Sequence, residues 1–182
     1  MREKLTVIIA TFFCLAIWCV QESSSQESSP ATRIAALRAL TPEQAVEARR
    51  AIITWLECEE CNQGELRAVV RLGPTVVPTL AATLKEGPSQ ASLEFFRRYL
   101  IATYRSLKKF ESTHHQSNVL LTETDYVNQY LDNYLALYQI RAAEALAAIG
   151  GPAAKTALKE AMQLPLRPDV SAKVHVAWQR TR

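Results

Sequence analysis

The sequence is poor in glycine and has no strong excess of charge of either sign. Only 5 of its 182 residues are glycine, which argues against the glycine-rich loops that cradle phosphate groups in nucleotide-binding proteins. Its 21 lysine and arginine residues exceed its 18 aspartate and glutamate residues by only three. A nucleic-acid-binding domain usually carries a denser basic face, so no nucleic-acid partner is predicted.

The sequence also lacks the signatures of common catalytic centres and of β-structure. No Gly-x-Ser-x-Gly, Walker or His-Glu-x-x-His pattern occurs. No segment shows the sustained alternation of apolar and polar residues that is typical of strands. Hydrophobic residues nevertheless make up 48% of the chain, which excludes wholesale disorder. We therefore expect an all-α fold with no catalytic residue, no cofactor and no enzymatic activity.

The N-terminus has the pattern of a secretory signal. A short charged start precedes an uncharged run from Leu5 to Val20, which falls short of the roughly 20 apolar residues that span a bilayer. Residues 1–22 are predicted to be a signal peptide, or an N-terminal anchor if they are not cleaved. The serine-rich residues 23–31 predict a flexible linker, and residues 32–182 the folded domain. The chain is expected to be periplasmic or secreted, with no membrane insertion beyond a tether through residues 5–20.

Helix starts are marked along this domain. Thr41-Pro42-Glu43-Gln44 and Asn62-Gln63-Gly64-Glu65 match capping boxes, in which two side chains satisfy free backbone amides at a helix N-terminus. Thr122 predicts the cap of a third helix that continues to Ile149, with a break near Gln139 as the alternative. Short glycine and proline turns separate the segments, and short turns make consecutive helices antiparallel neighbours.

One long helix is predicted to begin at Ser89 and to be followed by a polar loop at Glu111–Asn118. Its apolar residues recur at helical spacing and are expected to form its buried side: they are Leu93, Phe96, Leu100, Tyr104, Leu107 and Phe110.

Two segments of the chain resemble each other. In each segment a helix ends at a glycine, a proline begins the next helix, and apolar residues follow at four-residue spacing. Gly73 and Gly150 lie 77 positions apart, and Leu80 and Leu158 lie 78 apart. That offset equals two helical-hairpin repeats of roughly 39 residues. The stretch from Arg141 to Met162, followed by Pro168-Asp169-Val170, resembles the HEAT repeats of exported bacterial proteins. The resemblance implies a short HEAT-like α-solenoid of stacked antiparallel helical hairpins that acts as a protein-binding scaffold.

Cys58 and Cys61 form a CxxC pair, and the other two cysteines lie in the predicted signal. In an exported chain such a pair can form a small-loop disulfide between two helices, which is the prediction made here. A redox-active pair is the first alternative, although Cys58 has acidic neighbours that oppose thiolate formation. Metal binding is the second, but only His114 and His115 could complete a zinc set, and adjacent histidines point apart. No metal site is predicted.

Four tyrosines fall at four-residue steps on the predicted helix that Thr122 begins. They are Tyr126, Tyr130, Tyr134 and Tyr138, and side chains four apart are neighbours on a helix surface. Their rings can border the core with the hydroxyls in water, or they can form an exposed ridge that binds a peptide or a partner helix. We list them as the candidate partner-binding residues.

The predicted function is an exported scaffold without catalysis that binds a protein partner. The alternative is a thiol–disulfide or metal-handling protein that uses Cys58 and Cys61.

Overall fold

The computed structural model describes residues 40–58, 61–114 and 120–181, which belong to one compact unit, Leu40–Arg182. The predicted signal (1–22) and linker (23–31) lie outside the described residues. The described part contains seven α-helices and no strand, which confirms the all-α class for that part. The helices are α1 (Pro42–Glu57), α2 (Gln63–Arg71), α3 (Val77–Glu86), α4 (Gln90–His114), α5 (Glu123–Ile149), α6 (Gly151–Ala161) and α7 (Pro168–Arg180), with a 3-10 turn (Gly73–Val76) between α2 and α3. None of these described helices combines the length and apolar character that crossing a membrane requires.

The predicted helix starts are confirmed by their hydrogen bonds. The Thr41 hydroxyl accepts from the Gln44 amide at 3.3 Å, and the Gln44 side chain accepts from the Thr41 amide at 2.9 Å. The Asn62 side chain likewise accepts from the Glu65 amide at 3.2 Å, while the Glu65 carboxylate accepts from the Asn62 amide. At the start of α5 the Thr122 hydroxyl accepts from the Asp125 amide at 3.1 Å, without a reciprocal bond to the Thr122 amide. Each cap satisfies donors that the first helical turn leaves free.

Helix α5 lies at the centre and packs on each of the other six helices. It runs for 27 residues without the break considered near Gln139. Ala142, Ala143 and Ala145 are fully buried, and such small side chains leave room for the neighbouring helices to approach closely. The large apolar side chains with no solvent exposure around them form the main core: Leu80, Leu84, Leu146, Leu158, Val69, Val170 and Val174.

Helix α4 and the first half of α5 form a hairpin with a small core of its own. Leu100, Tyr126 and Val127 are buried there, and partly buried apolar residues of both helices surround them. Within the described part, α5 is the only helix on which α4 packs extensively. Most of the surface of α4 therefore faces away from the rest of the unit.

Two expectations about α4 are wrong. Leu107 and Phe110 are exposed instead of buried. Arg105 pairs with Glu123, the first residue of α5, at 3.0 Å. The last turns of α4 therefore extend beyond the start of α5 and have no α5 surface to cover them.

The predicted loop at Glu111–Asn118 is also wrong over residues 111–114, because α4 continues through them. Glu111 is buried and pairs with Lys108 at 2.9 Å, one helical turn away. The hydroxyls of Ser112 and Thr113 donate to the Lys109 carbonyl, so these polar residues bond within the helix.

Candidate functional site

The two cysteines of the CxxC pair lie at the corner between α1 and α2. Their sulfur atoms are 1.96 Å apart, which is bonding distance, and their Cα atoms are 5.1 Å apart. Cys58 is the C-terminal cap of α1, and Asn62, the residue after Cys61, is the N-terminal cap of α2. The disulfide therefore closes the short connection between two capped helix ends.

Arg141 of α5 holds this corner against the centre of the molecule. Its guanidinium donates to the Leu56 carbonyl at 2.6 Å and also to the Cys58 carbonyl, and the Trp55 indole N–H donates to the Arg141 carbonyl at 2.9 Å. Arg141 is only 7% exposed, and no carboxylate lies within 4 Å of it among the described residues.

The negative end of α1 takes the place of a carboxylate partner for Arg141. Burial lowers the pKa of the Arg141 guanidinium, and the nearby carboxylates of Glu144 and Glu65 oppose that shift. Arginine keeps its charge under such a shift because its ordinary pKa is so high. A buried cation therefore caps the end of a helix.

Gln139 caps the C-terminal end of α3, as Arg141 caps that of α1. Its side-chain amide is buried and donates to the Leu84 carbonyl in the last turn of α3 at 3.2 Å. The sequence pattern left a helix break near Gln139 open and assigned no role to Arg141. One sequence feature could have pointed to Gln139 and Arg141: they are two polar residues, two positions apart, in a helix segment that is otherwise mostly apolar.

The corner also brings together three groups that could ligate a metal. The ligand atoms of Cys58, Cys61 and Glu65 lie within 4.8 Å of one another. While the sulfurs are bonded to each other they are not thiolates, which are the form that binds zinc. Only a reduced corner could hold a metal ion. Of the two histidines considered as further ligands, His114 is the last residue of α4 and His115 lies outside the described residues.

The four tyrosines of α5 do not share one exposed face. Tyr126 and Tyr138 are buried, Tyr134 is half-buried, and Tyr130 is 44% exposed. Their rings pack on one another and on α4: the ring centroids of Tyr126 and Tyr130 are 4.6 Å apart, and those of Tyr134 and Phe96 are 4.2 Å apart. A partner could reach Tyr130 and part of Tyr134, but not the whole row.

Tyr134 and Tyr138 meet the last residue of α1. The Tyr138 hydroxyl donates to the Glu57 carboxylate at 2.5 Å, and the Tyr134 hydroxyl donates to the Tyr138 hydroxyl at 3.1 Å. Burial, followed by the hydrogen bond to Glu57, raises the pKa of Tyr138 far above its usual range. Burial also raises the pKa of Tyr134. Both hydroxyls therefore stay protonated and hold α1 to α5 at neutral pH.

An open cleft lies directly beside this network and is called the aromatic cleft below. Its volume is about 490 Å³, and it is lined by Glu57, Ala91, Ser92, Phe95, Phe96, Tyr134 and Leu137. Phe95 is 68% exposed at its rim, and Leu137 is also exposed. Glu57 is an exposed residue at the same place. An apolar surface with one carboxylate at its edge is suited to binding a side chain of another protein.

Sequence reasoning missed Phe95, Leu137 and Glu57 as members of this cleft. One signal was available in the adjacent pair Phe95-Phe96. Adjacent residues on a helix point about 100° apart, so both rings of such a pair cannot face the same packed helix. One large aromatic side chain had to remain outside the hairpin core.

A second groove, of about 760 Å³, runs between α5 and α7 and reaches Leu66 of α2. Its lining combines alanines with charged groups of both signs and contains no aromatic residue. One of its acids, Asp169, is already bound by the Arg167 guanidinium through two bonds of 2.7 and 2.8 Å. Arg167 lowers the pKa of the Asp169 carboxyl to about 2. This groove offers no apolar anchor comparable with the aromatic cleft.

Comparisons with protein-family models, with curated proteins and with solved structures find no significant match. The function is therefore argued from the geometry of the chain itself.

Proposed function

We propose that this chain is an exported, non-catalytic helical scaffold that binds a protein partner in the aromatic cleft. The exposed Phe95 beside a cleft of about 490 Å³ is the observation that carries the proposal. Large aromatic side chains contribute most of the energy at many protein interfaces, above all where they border a pocket that a partner can fill. Because 68% of Phe95 is exposed, most of its ring gains no burial within the described part of the chain.

The chemistry of the cleft indicates what the partner presents. Phe95, Phe96 and Leu137 offer an apolar surface, and Glu57 offers a carboxylate at its edge. The matching partner segment carries an apolar side chain, such as leucine or phenylalanine, with a lysine or arginine next to it. Tyr134 supplies a ring wall and is the member of the predicted tyrosine row that takes part.

We also propose that the helices form a short HEAT-like α-solenoid, and the packing order supports this. Pairing α2 with α3 and α5 with α6 as successive hairpins places α2 on α5 and α3 on α6. Both of these pairs are in contact, while α2 and α3 contact each other little. The following helix, α7, packs on α5 and α6. Contacts between corresponding helices of adjacent hairpins are the defining feature of a solenoid. Helix α4 is then an insertion between the two hairpins.

Site-specific crosslinking tests the binding proposal. The photoreactive residue benzoylphenylalanine is placed at Leu137 in the full chain, expressed in its own cells, and also at Val46 of α1, an exposed apolar position outside the cleft. We expect one discrete protein adduct from position 137 and none from position 46. The adduct should weaken when Phe95→Ser is combined with the label and should be unaffected by Arg50→Gln, an exposed change on α1. Equal adducts at both positions, or none at position 137, would refute the proposal.

The second candidate function is a thiol–disulfide or metal-handling role at the corner of α1 and α2. The three potential ligands within 4.8 Å favour it. Zinc analysis of the reduced chain distinguishes the two functions. A scaffold should retain less than one equivalent after dialysis, whereas a metal-handling protein should retain one equivalent that is lost in Cys61→Ser.

A further inference from the structure

Helix α4 concentrates the positive charge of the protein. It contains five of the 21 basic residues and two of the 18 acidic residues, so the remaining 16 basic and 16 acidic residues cancel. The helix thus accounts for the whole formal charge of +3. The residues concerned are Arg97, Arg98, Arg105, Lys108 and Lys109, with Glu94 and Glu111.

The outward side of α4 carries aromatic rings next to these cations. With about 100° per residue, Tyr99 and Phe110 lie within about 20° of each other around the helix. Arg98, Arg105 and Lys109 lie within about 40° of one another, roughly 110° away from the two rings. Tyr99 is 57% exposed and Phe110 is 54% exposed. We call these five residues the basic aromatic face. Most of the residues that pack on α5 lie on the opposite side of the helix.

The cations of this face are not all neutralised within the chain. Arg105 pairs with Glu123, but neither Arg98 nor Lys109 has a carboxylate within 4 Å among the described residues. Both side chains are exposed. Arg98 and Lys109 are therefore available to an external anion. Tyr99 is exposed on the same helix, with its ring stacked on Phe96 at 6.1 Å.

We propose that the basic aromatic face binds the surface of a bilayer that contains anionic phospholipids. A helix lying in the headgroup region buries aromatic side chains about 5–10 Å deep while its lysines and arginines meet the phosphates. The face meets both requirements, since its rings are exposed and its cations lie on one side of them around the helix. An exposed helix surface can lie along a flat lipid surface, whereas a peptide is better held in a recess such as the aromatic cleft. The binding is peripheral. Phe95 falls between the cations and the rings of this face around the helix, so lipid binding would compete with a partner in the aromatic cleft.

Depth-dependent fluorescence quenching tests this in the full chain. Tyr99→Trp places a tryptophan on the face, and Val176→Trp places one on α7, which does not pack extensively on α4. The chain is mixed with vesicles of brominated phosphatidylcholine, with or without phosphatidylglycerol, and the parent chain gives the background of its own three tryptophans. We expect extra quenching of Tyr99→Trp only in the vesicles that contain phosphatidylglycerol, and none of Val176→Trp.

The contribution of the positive charges to membrane binding is tested separately. Each lysine or arginine near an anionic surface contributes about fivefold to binding, so Arg98→Gln with Lys109→Gln should weaken the association by about 25-fold. High salt should have the same effect because it screens exposed charges. Both changes are at exposed positions, and an unchanged circular-dichroism spectrum should show that the fold is retained.

Three outcomes would overturn the membrane proposal. They are no extra quenching of Tyr99→Trp in any vesicle, equal quenching in vesicles without phosphatidylglycerol, and equal quenching of Val176→Trp. The first would assign the face to an acidic protein instead. Crosslinking at Leu137 is measured separately, so each proposal can fail without the other.

Discussion

Replacing Arg141 with methionine should destabilise the chain more than any change at an exposed arginine. The substitution keeps most of the aliphatic stem but removes the guanidinium that donates to the carbonyls of Leu56 and Cys58. These two acceptors lie at the end of α1, and the first is buried. They would lose their donor in a place that water reaches poorly.

The size of the effect follows from two opposing terms. A hydrogen bond from a charged donor contributes about 1.5–3 kcal/mol, so two of them give about 3–6 kcal/mol. Removing a buried cation also recovers part of its desolvation cost, which amounts to several kcal/mol for a fully buried ion. We expect a net loss of about 2–3 kcal/mol in the free energy of unfolding. For a domain of this size that lowers the melting temperature by about 10 °C.

Urea unfolding followed by tryptophan fluorescence measures this loss, and Trp55 reports on the same corner because its indole binds the Arg141 carbonyl. Arg50→Met, an exposed change on α1, is the matched control and should stay within about 0.5 kcal/mol of the parent. In a background with both Cys58 and Cys61 changed to serine, the Arg141→Met effect should shrink by about 1 kcal/mol, because the freed carbonyl can turn toward water. If Arg141→Met behaves like Arg50→Met, the capping role assigned to the guanidinium is wrong.

Three further outcomes are expected. Asp169→Asn should lower stability at pH 7 but not near pH 2. Arg167 holds the Asp169 pKa at about 2, below the usual 3.8, so the stabilisation is complete above about pH 4 and disappears as the pH falls through about 2. Urea midpoints at both pH values test this. Gly87→Ala should cost about 2 kcal/mol in the same assay, since the backbone φ there is +78° and a Cβ atom would lie 3.0 Å from Leu135; an unchanged midpoint would contradict it. Leu146→Ala removes a fully buried side chain and should cost about 2–5 kcal/mol; a loss below about 1 kcal/mol would show that the core collapses into the cavity.

The features that depend on neighbouring residues could be predicted from the sequence. Thr41 with Gln44 and Asn62 with Glu65 form their capping boxes within four residues of chain, so the pattern itself contains both partners. The same is true of the CxxC pair. The all-α class follows because helical spacing of apolar residues repeats through the whole domain.

The features that depend on distant partners could not be predicted. Arg141 meets a helix end that lies more than 80 positions earlier, and Tyr138 meets Glu57 at a similar separation. Nothing in the local pattern distinguishes a buried capping arginine from an exposed one. Leu107 was placed on the buried side because the spacing is correct, but spacing does not tell where the partner helix begins. The aromatic cleft depends on the same kind of long-range information.

The unbroken course of α5 fixes the relation between its two ends. Its first half closes the small core with α4, and its second half fills the main core. One continuous helix joins the two halves, so the angle between the directions in which they face their cores is set by the number of residues between them. An insertion of a single residue near its middle would turn one half by about 100° relative to the other. An insertion in a turn does not change this angle, whereas the length of the central helix can change only in steps that restore it.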